Sequence, residues 1–419
     1  MPENWKTYKF EELYNIASGL SKSRDQFGFG HPFVTFKDVF YNWFLPEELG
    51  DLANTNEKEQ KKGGIKKGDI ILTRTSETLH ELGMSSVALK DYPNSTFNGF
   101  CKRLRQKDES SIKIEPVFMA YFLRSRYFRN EVSKYATMTT RASLNIAAIN
   151  SLSITLPPFD EQQEIASILK PLDDKIENNL AMNKTLEEMA MALYKHWFVD
   201  FGPFKDGKFI DSELGLIPEG WEVKELGEIY NTTSGGTPSR KKMEYYENGT
   251  IPWVKSKELY GNFIVQTEEK ITELGLSKSS AKLVPEKTVM LAMYGATVGE
   301  TSILSSKASC NQAICAIMQK EISYVYIFQF LRFFKNDILN QAVGSAQQNI
   351  SQAIIKNLKI ITPPSNLEVF DKIELLYSKA EKNLIENQTL TQLRDTLLPK
   401  LISGEVRLKE FEEKLTAVL

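Results

Sequence analysis

The sequence predicts an α+β fold class: two tandem duplicated α/β domains, separated and joined by two long helices packed as an antiparallel coiled coil, with pseudo-twofold symmetry. Three observations carry this. The chain is written twice; each copy holds a stretch of mixed strand and helix pattern; and each such stretch runs into a long apolar stripe at heptad spacing.

Pro2-Glu3-Asn4-Trp5, Tyr14-Asn15 and Ser18-Gly19 return 216 residues later as Pro218-Glu219-Gly220-Trp221, Tyr230-Asn231 and Ser234-Gly235. Phe122-Leu123-Arg124 returns as Phe330-Leu331-Arg332. The set Leu144, Ile149, Leu152, Ile154, Pro157-Pro158 returns 206 residues on as Ile350, Ile355, Leu358, Ile360, Pro363-Pro364. Glu177, Asn179, Leu180 and Asn183 return 204 residues on as Glu381, Asn383, Leu384 and Asn387. Order is kept while the offset drifts, as loop insertions and deletions in a tandem duplication require.

Within each copy, β-type runs such as Gly68–Thr73 and Thr288–Met293 and helical stretches near 117–135 and 324–342 predict a mixed domain. The double proline closes it, because it continues neither a ladder nor a helix. Ile165, Leu169, Leu172, Ile176, Leu186, Ala190, Leu193 and Trp197 then follow 4-3 spacing, as do Val369, Ile373, Leu376, Ala380, Leu390, Arg394, Leu397 and Leu401. Asn179, Asn183, Asn383 and Asn387 fall on the stripes, where seam asparagines fix coiled-coil register. Pro171 predicts a kink or a short separate leading helix. From 160 to 197 the rod spans about 57 Å.

Composition narrows the classes of function. At 419 residues the chain has room for two or three domains, and 42% hydrophobic with 25% charged residues is globular, not disordered. Three cysteines and three histidines without clustering make neither a disulfide framework nor a metal site. The polar start and the lack of a long apolar run predict a cytoplasmic protein without a membrane span. The net charge of -2 argues against DNA binding by bulk charge.

Catalytic motifs fail on inspection. Leu156-Pro157-Pro158-Phe159 is similar to the Asp/Asn-Pro-Pro-Phe/Tyr tetrapeptide of DNA amino-methyltransferases, but Leu156 accepts no hydrogen bond, and Thr362-Pro363-Pro364-Ser365 lacks the aromatic as well. Gln26-Phe27-Gly28-Phe29-Gly30 is only superficially a cofactor turn. Gly295–Ser302 has Glu300 where a phosphate-binding loop needs lysine. Glu222-Val223-Lys224 reads as a solvated strand rather than the tail of a nuclease motif. No catalytic residue is predicted.

The two tandem domains, the Pro-Pro endings, Phe159-Asp160-Glu161-Gln162-Gln163-Glu164-Ile165 entering a long helix, Ser234–Ser239 and Gly249–Val254 together resemble the specificity subunit of type I restriction-modification enzymes. The second copy departs from the pattern in reading Pro363-Pro364-Ser365-Asn366-Leu367-Glu368, without Glu-Gln. The resemblance implies DNA target recognition domains at 1–158 and 201–364 and spacer helices at 159–200 and 365–419, each domain reading one half of a split duplex DNA target. It implies a non-catalytic chain that binds no cofactor. Two methyltransferase subunits would bring S-adenosylmethionine, and restriction subunits ATP, Mg2+, translocation and cleavage. Met182, Met189, Met191 and Trp197 are candidates for the methyltransferase-facing surface. The competing readings are a stand-alone methyltransferase or nuclease with fused specificity, and a coiled-coil scaffold that binds only proteins.

Under that resemblance, DNA contacts require cations and polar groups on loops. The first copy offers Lys22 and Arg24 after the Ser18-Gly19 turn, Thr73, Arg74 and Ser76 at a strand end, basic Lys102, Arg103 and Arg105, and Thr139, Thr140 and Arg141. The second offers Ser234, Thr237, Ser239, Arg240 and Lys241, Trp253 with Lys255 and Lys257, Tyr294, and Gln347, Gln348 and Asn349. Arg74, Arg141 and Gln347–Asn349 are the expected base readers, since arginine suits guanine and amides suit adenine. Residues 1–158 hold 22 basic and 18 acidic side chains and 201–364 hold 18 and 17, against 4 and 9 for 159–200. The predicted readers are mildly basic and the first spacer acidic, which predicts a grip on DNA completed by partners.

Overall fold

The computed structural model describes residues 2–109, 111–138, 142–340 and 349–406. The first unit runs to Lys175 and takes in the chain from Leu390 onward; Ile176–Thr389 form the second.

In the first unit, the continuous apolar run Ile70–Thr73 becomes a strand buried along its whole length, as such short runs do. It lies between Cys101–Gln106 and Ser85–Val87, with Tyr14–Ser18 beyond Cys101–Gln106, in a four-stranded antiparallel sheet. Phe27–Val34 pairs antiparallel with Leu52–Ala53 and parallel with Thr96–Phe97. Lys6–Lys9 pairs with Ser153–Leu156, Lys6 opposite Leu156, immediately before the double proline. The expected helical stretch near 117–135 is two helices, Pro116–Phe122 and Arg126–Tyr135, parted where the Ser125 hydroxyl caps the second by accepting from Phe128 N–H.

The second unit repeats the order. Tyr230–Ser234, Ile314–Gln319, Val289–Ala292 and Thr301–Leu304 make the same antiparallel sheet, and Phe263–Ile264 adds a fifth, parallel strand. Ile251–Val254 again sits between an antiparallel neighbour, Glu269–Ile271, and a parallel one, Ser309–Cys310. Glu222–Glu225 pairs with Lys359–Thr362 before the second double proline. This strand-for-strand correspondence bears out the duplicated α+β fold class. The hairpin Phe209–Ser212 with Gly215–Pro218 has no counterpart among the described residues of the first unit.

The long helices are Phe159–Tyr194 and Glu368–Ser403, 36 residues each, or about 54 Å. Pro171 neither splits nor ends the first, correcting that part of the sequence expectation. It is exposed, so the Ser167 carbonyl that loses its helical partner has water available. The first helix starts directly after Pro158 because Gln162, buried, donates to Pro157 O at 3.0 Å and accepts Glu115 N–H at 3.0 Å. The second copy lacks this glutamine, and its helix starts four residues after Pro364.

Both helices contribute to each core. Ile165 and Leu169 pack with Leu398, Leu401 and Ile402 in the first unit. Ala190 and Tyr194 pack with Val369, Ile373, Tyr377 and Ala380 in the second. Removing the fully buried Leu169 side chain would cost about 2–5 kcal/mol. The first helix finishes in a π-turn, Lys195–Val199, whose wider pitch brings buried Phe198 under Tyr194, 5.4 Å between rings; Trp197, expected on the stripe, is only partly buried, against Phe204.

Candidate nucleic-acid interface

At one end of each central sheet, backbone hydrogen bonds sew several loops together. In the first unit, a Cβ on Gly19 would stand 2.1 Å from Asn98 O, so only glycine lets the Ser18-Gly19 turn lie on the Asn98–Phe100 loop. Leu20 N–H donates to Phe97 O at 2.8 Å and Asn98 N–H to Val34 O at 3.0 Å. The Asn98 side chain accepts Phe100 N–H at 2.8 Å. Arg74 N–H donates to Phe100 O and Leu144 N–H to Arg74 O, both at 2.9 Å.

Each bond recurs in the second unit. Gly236 N–H donates to Cys310 O at 2.8 Å and Asn311 N–H to Val254 O at 2.9 Å. Asn311 accepts Ala313 N–H at 3.2 Å. Met293 N–H donates to Ala313 O at 2.8 Å and Ile350 N–H to Met293 O at 2.9 Å. The glycine is again obligatory: a Cβ on Gly235 would stand 2.1 Å from Cys310 O. Satisfying these backbone groups within the protein leaves a firm platform from which exposed side chains project.

Several residues expected at the interface prove to be internal. Thr73 is fully buried and its hydroxyl accepts Met84 N–H at 2.9 Å. Ser76 is buried and donates to Glu81 at 2.8 Å. The basic run is a strand facing inward: Lys102 donates to the Ser18 hydroxyl, Arg103 to Gly64 O, and Arg105 to both oxygens of Asp69 at 2.7 and 2.6 Å. Burial pushes Lys102 and Arg103 below their usual pKa ranges, whereas hydrogen bonding to Asp69 holds Arg105 above its own. These cations brace the sheet, because long side chains on a central strand lie along protein rather than water. Trp253 is buried too, donating from Nε1 to Gly236 O at 3.0 Å.

Others, exposed like Arg240 and Lys257 or half-buried like Lys22 and Lys255, are neutralised. Lys22 pairs with Glu59 at 2.9 Å. Lys255 bridges Glu268 and Glu269, both at 2.7 Å, and Lys257 pairs with Glu268 at 2.8 Å. Arg240 pairs with Glu269 while lying over Tyr246, 4.4 Å from the ring centre. Hydrogen bonds from Arg240 and then Lys255 hold the Glu269 carboxyl down at about 2. Arg24, Thr237, Ser239, Lys241 and Asn349 are exposed, Ser234 and Tyr294 partly or more so, and Thr237 donates to Gln312. Arg74 is half-buried, its Nε on Gly99 O at 3.0 Å. Thr139, Thr140, Arg141, Gln347 and Gln348 lie outside the described residues.

Sequence reasoning missed Phe100, half exposed on the Asn98–Phe100 loop, and Tyr41, 72% exposed; with Phe36, Phe40 and Thr75 they line an open cavity of about 380 Å³. The Asn-Gly-Phe turn was the available signal. Lys224 pairs with Glu222 at 2.7 Å on its strand, and Glu300 with Lys335 at 2.7 Å. The three cysteines are buried, which raises each thiol to about 12.

On the helix seam of the second unit, Asn179 donates to Asn387 Oδ1 at 2.8 Å, Asn383 donates to Asn183 Oδ1 at 2.8 Å, and Asn183 donates to Ala380 O at 3.0 Å. Numbers rise on one helix as they fall on the other, so the pair is antiparallel. In the first unit the pair is clasped by charge: Asp173 accepts from Arg394 and from the Tyr121 hydroxyl, both at 2.6 Å. Among the described residues, no helix is long and apolar enough to cross a membrane.

Two loop platforms on one repeated frame, with a shared antiparallel helix pair, define a protein class built for specificity in duplicate. Residues 2–188 and 218–389 match the type I restriction modification DNA specificity domain, and the chain belongs to that family. It is a specificity subunit, and the subunit of that kind is not the catalytic one. The chain is 28% identical over 424 residues to the MjaIX type I restriction enzyme specificity subunit of Methanocaldococcus jannaschii, covering 98% of this chain and 95% of that one. It is 27% identical over 480 residues to the HindI specificity subunit of Haemophilus influenzae, covering 96% and 100%. The crystal structure of the type I restriction-modification S subunit from M. genitalium has the same fold, with a TM-score of 0.63 at 16% identity over 95% of this chain and 96% of that one.

Proposed function

We propose that each unit reads one half of a bipartite duplex DNA target through its loop platform, residues 1–158 supplying one reader and 201–364 the other, while 159–200 and 365–419 set the gap between half-sites. The observation that carries this is the repetition, bond for bond, of the loop network in both units. A network preserved while the projecting side chains differ is what two readers of different sequences require. The seam asparagines hold the helix register, since a slipped pairing would leave their buried amides without partners.

The exposed helix positions Leu180, Met189, Leu375 and Ile385 form the docking surface for two methyltransferase subunits, together with half-buried Met182. Met191 and Trp197 serve the core of the second unit instead. The methyltransferase subunits bring S-adenosylmethionine, and restriction subunits in the same complex bring ATP and Mg2+, acting on DNA in the cytoplasm.

Methylome sequencing of cells carrying this chain and its partners tests the reading. Two half-sites with a fixed gap are expected; one uninterrupted motif would overturn it. Deleting seven residues from each helix shortens the pair by about 10 Å, or about 3 base pairs of gap. An unchanged gap would refute the spacer role.

A further inference from the structure

A group of cations in the first unit takes no part in the loop network or in any ion pair among the described residues. Lys58, Lys61, Lys62, Lys66 and Lys67 are all exposed and crowd into ten residues. Lys58, Lys61 and Lys62 share one face of the helix Glu57–Gly63 by their spacing. Lys66 and Lys67 follow in the turn that leads to the strand Ile70–Thr73.

The nearby carboxylates are engaged elsewhere. Glu59 pairs with Lys22 and caps Asn56, and Asp69 holds Arg105. Asp91 accepts the Lys67 backbone N–H at 2.8 Å. Glu57, exposed in the first helical turn, and Asp108, which lines the same cavity as Lys66 and Lys67, are the nearby acids outside any ion pair among the described residues. The helix is nevertheless fixed to the loop platform. The Lys22–Glu59 pair ties it to the segment after the Ser18-Gly19 turn, and a Cβ on Gly63 would stand 3.2 Å from the Thr96 side chain. The Gly64 carbonyl accepts from both Arg103 and Arg105. Five ammonium groups outside any ion pair are therefore held on rigid backbone along one flank, those of Lys58, Lys61 and Lys62 on the helix tied to the loop platform and those of Lys66 and Lys67 at the end of the strand Ile70–Thr73 away from Arg74.

We propose that Lys58, Lys61, Lys62, Lys66 and Lys67 form a phosphate-binding patch that grips the duplex backbone beside the first half-site without reading its sequence. This rests on the half-site reading given above. Lysine suits the task because it is a compact point charge that carries no base-edge geometry. The second unit differs at the turn: Pro285 and Glu286 stand where Lys66 and Lys67 do, and Lys287 pairs with Glu381.

The test uses the full chain assembled with its methyltransferase subunits and measures binding by fluorescence anisotropy. The duplexes are one carrying the methylome-defined target and one scrambled, across about 50 to 200 mM salt. Changing all five lysines to Gln is expected to lower affinity for both duplexes equally, about tenfold or more, and to flatten the plot of log affinity against log salt by about 4 to 5, at roughly 0.9 per lost phosphate contact. Five Lys→Arg changes should restore the slope. An unchanged slope, a loss confined to the target duplex, or release of the methyltransferase subunits on gel filtration would each overturn the patch. Failure of the unaltered complex to prefer its target would instead fall on the half-site reading, and the slope comparison would still decide the patch.

Discussion

Arg74 in the first unit and Met293 in the second hold the same place in the frame. Each donates its N–H to the loop beside it and accepts an N–H from the segment that precedes the last strand. Their side chains part company: Arg74 is half-buried with Nε on Gly99 O, while Met293 is sunk in the core. The helix pair shows the same division, clasped by Asp173, Arg394 and Tyr121 in one unit and by asparagine amides in the other. Backbone bonds and close-approach glycines define the platform; side chains around it are free to differ. Specificity can then change in one unit without loss of fold.

The largest effect is expected at the charged clasp. Arg394→Ala leaves Asp173 buried with only the Tyr121 hydroxyl, and should cost about 3–5 kcal/mol in denaturant unfolding. A loss below 1 kcal/mol would show that the two clasps are equivalent after all. Asn183→Ala removes a neutral pair and orphans the Asn383 amide, so about 2 kcal/mol is expected in the same measurement. If it exceeded the Arg394 effect, the contrast between charge and amide would be reversed. Arg74→Ala should have the smallest effect, about 1 kcal/mol in affinity, confined to duplexes altered in one half-site. Equal loss at both half-sites, or none, would show that Arg74 supports the loop without reading a base.

Much of the architecture was legible because it is written in local pattern. The helical stripes, the asparagines on them and the double prolines at the strand ends need only periodicity and backbone chemistry to be read. The π-turn that buries Phe198 and the uninterrupted passage through Pro171 were not legible, since packing around Tyr194 and solvent beside Ser167 decide them. The interface was the least legible. Lys102, Arg103 and Arg105 look in sequence like a basic cluster for DNA, yet their partners Ser18, Gly64 and Asp69 are distant in the chain and take them inward.

The sequence by itself determined the duplication, the mixed domain type and the two seam-forming helices, because repeats and hydrophobic period are properties of residue order. Tertiary structure alone decided which cations are spent and which are free. Charge is additive along a chain, but its availability depends on burial and on carboxylates brought near by folding. Glu268 and Glu269 neutralise Arg240, Lys255 and Lys257 in one unit, and nothing among the described residues forms an ion pair with the lysines at 58–67 in the other.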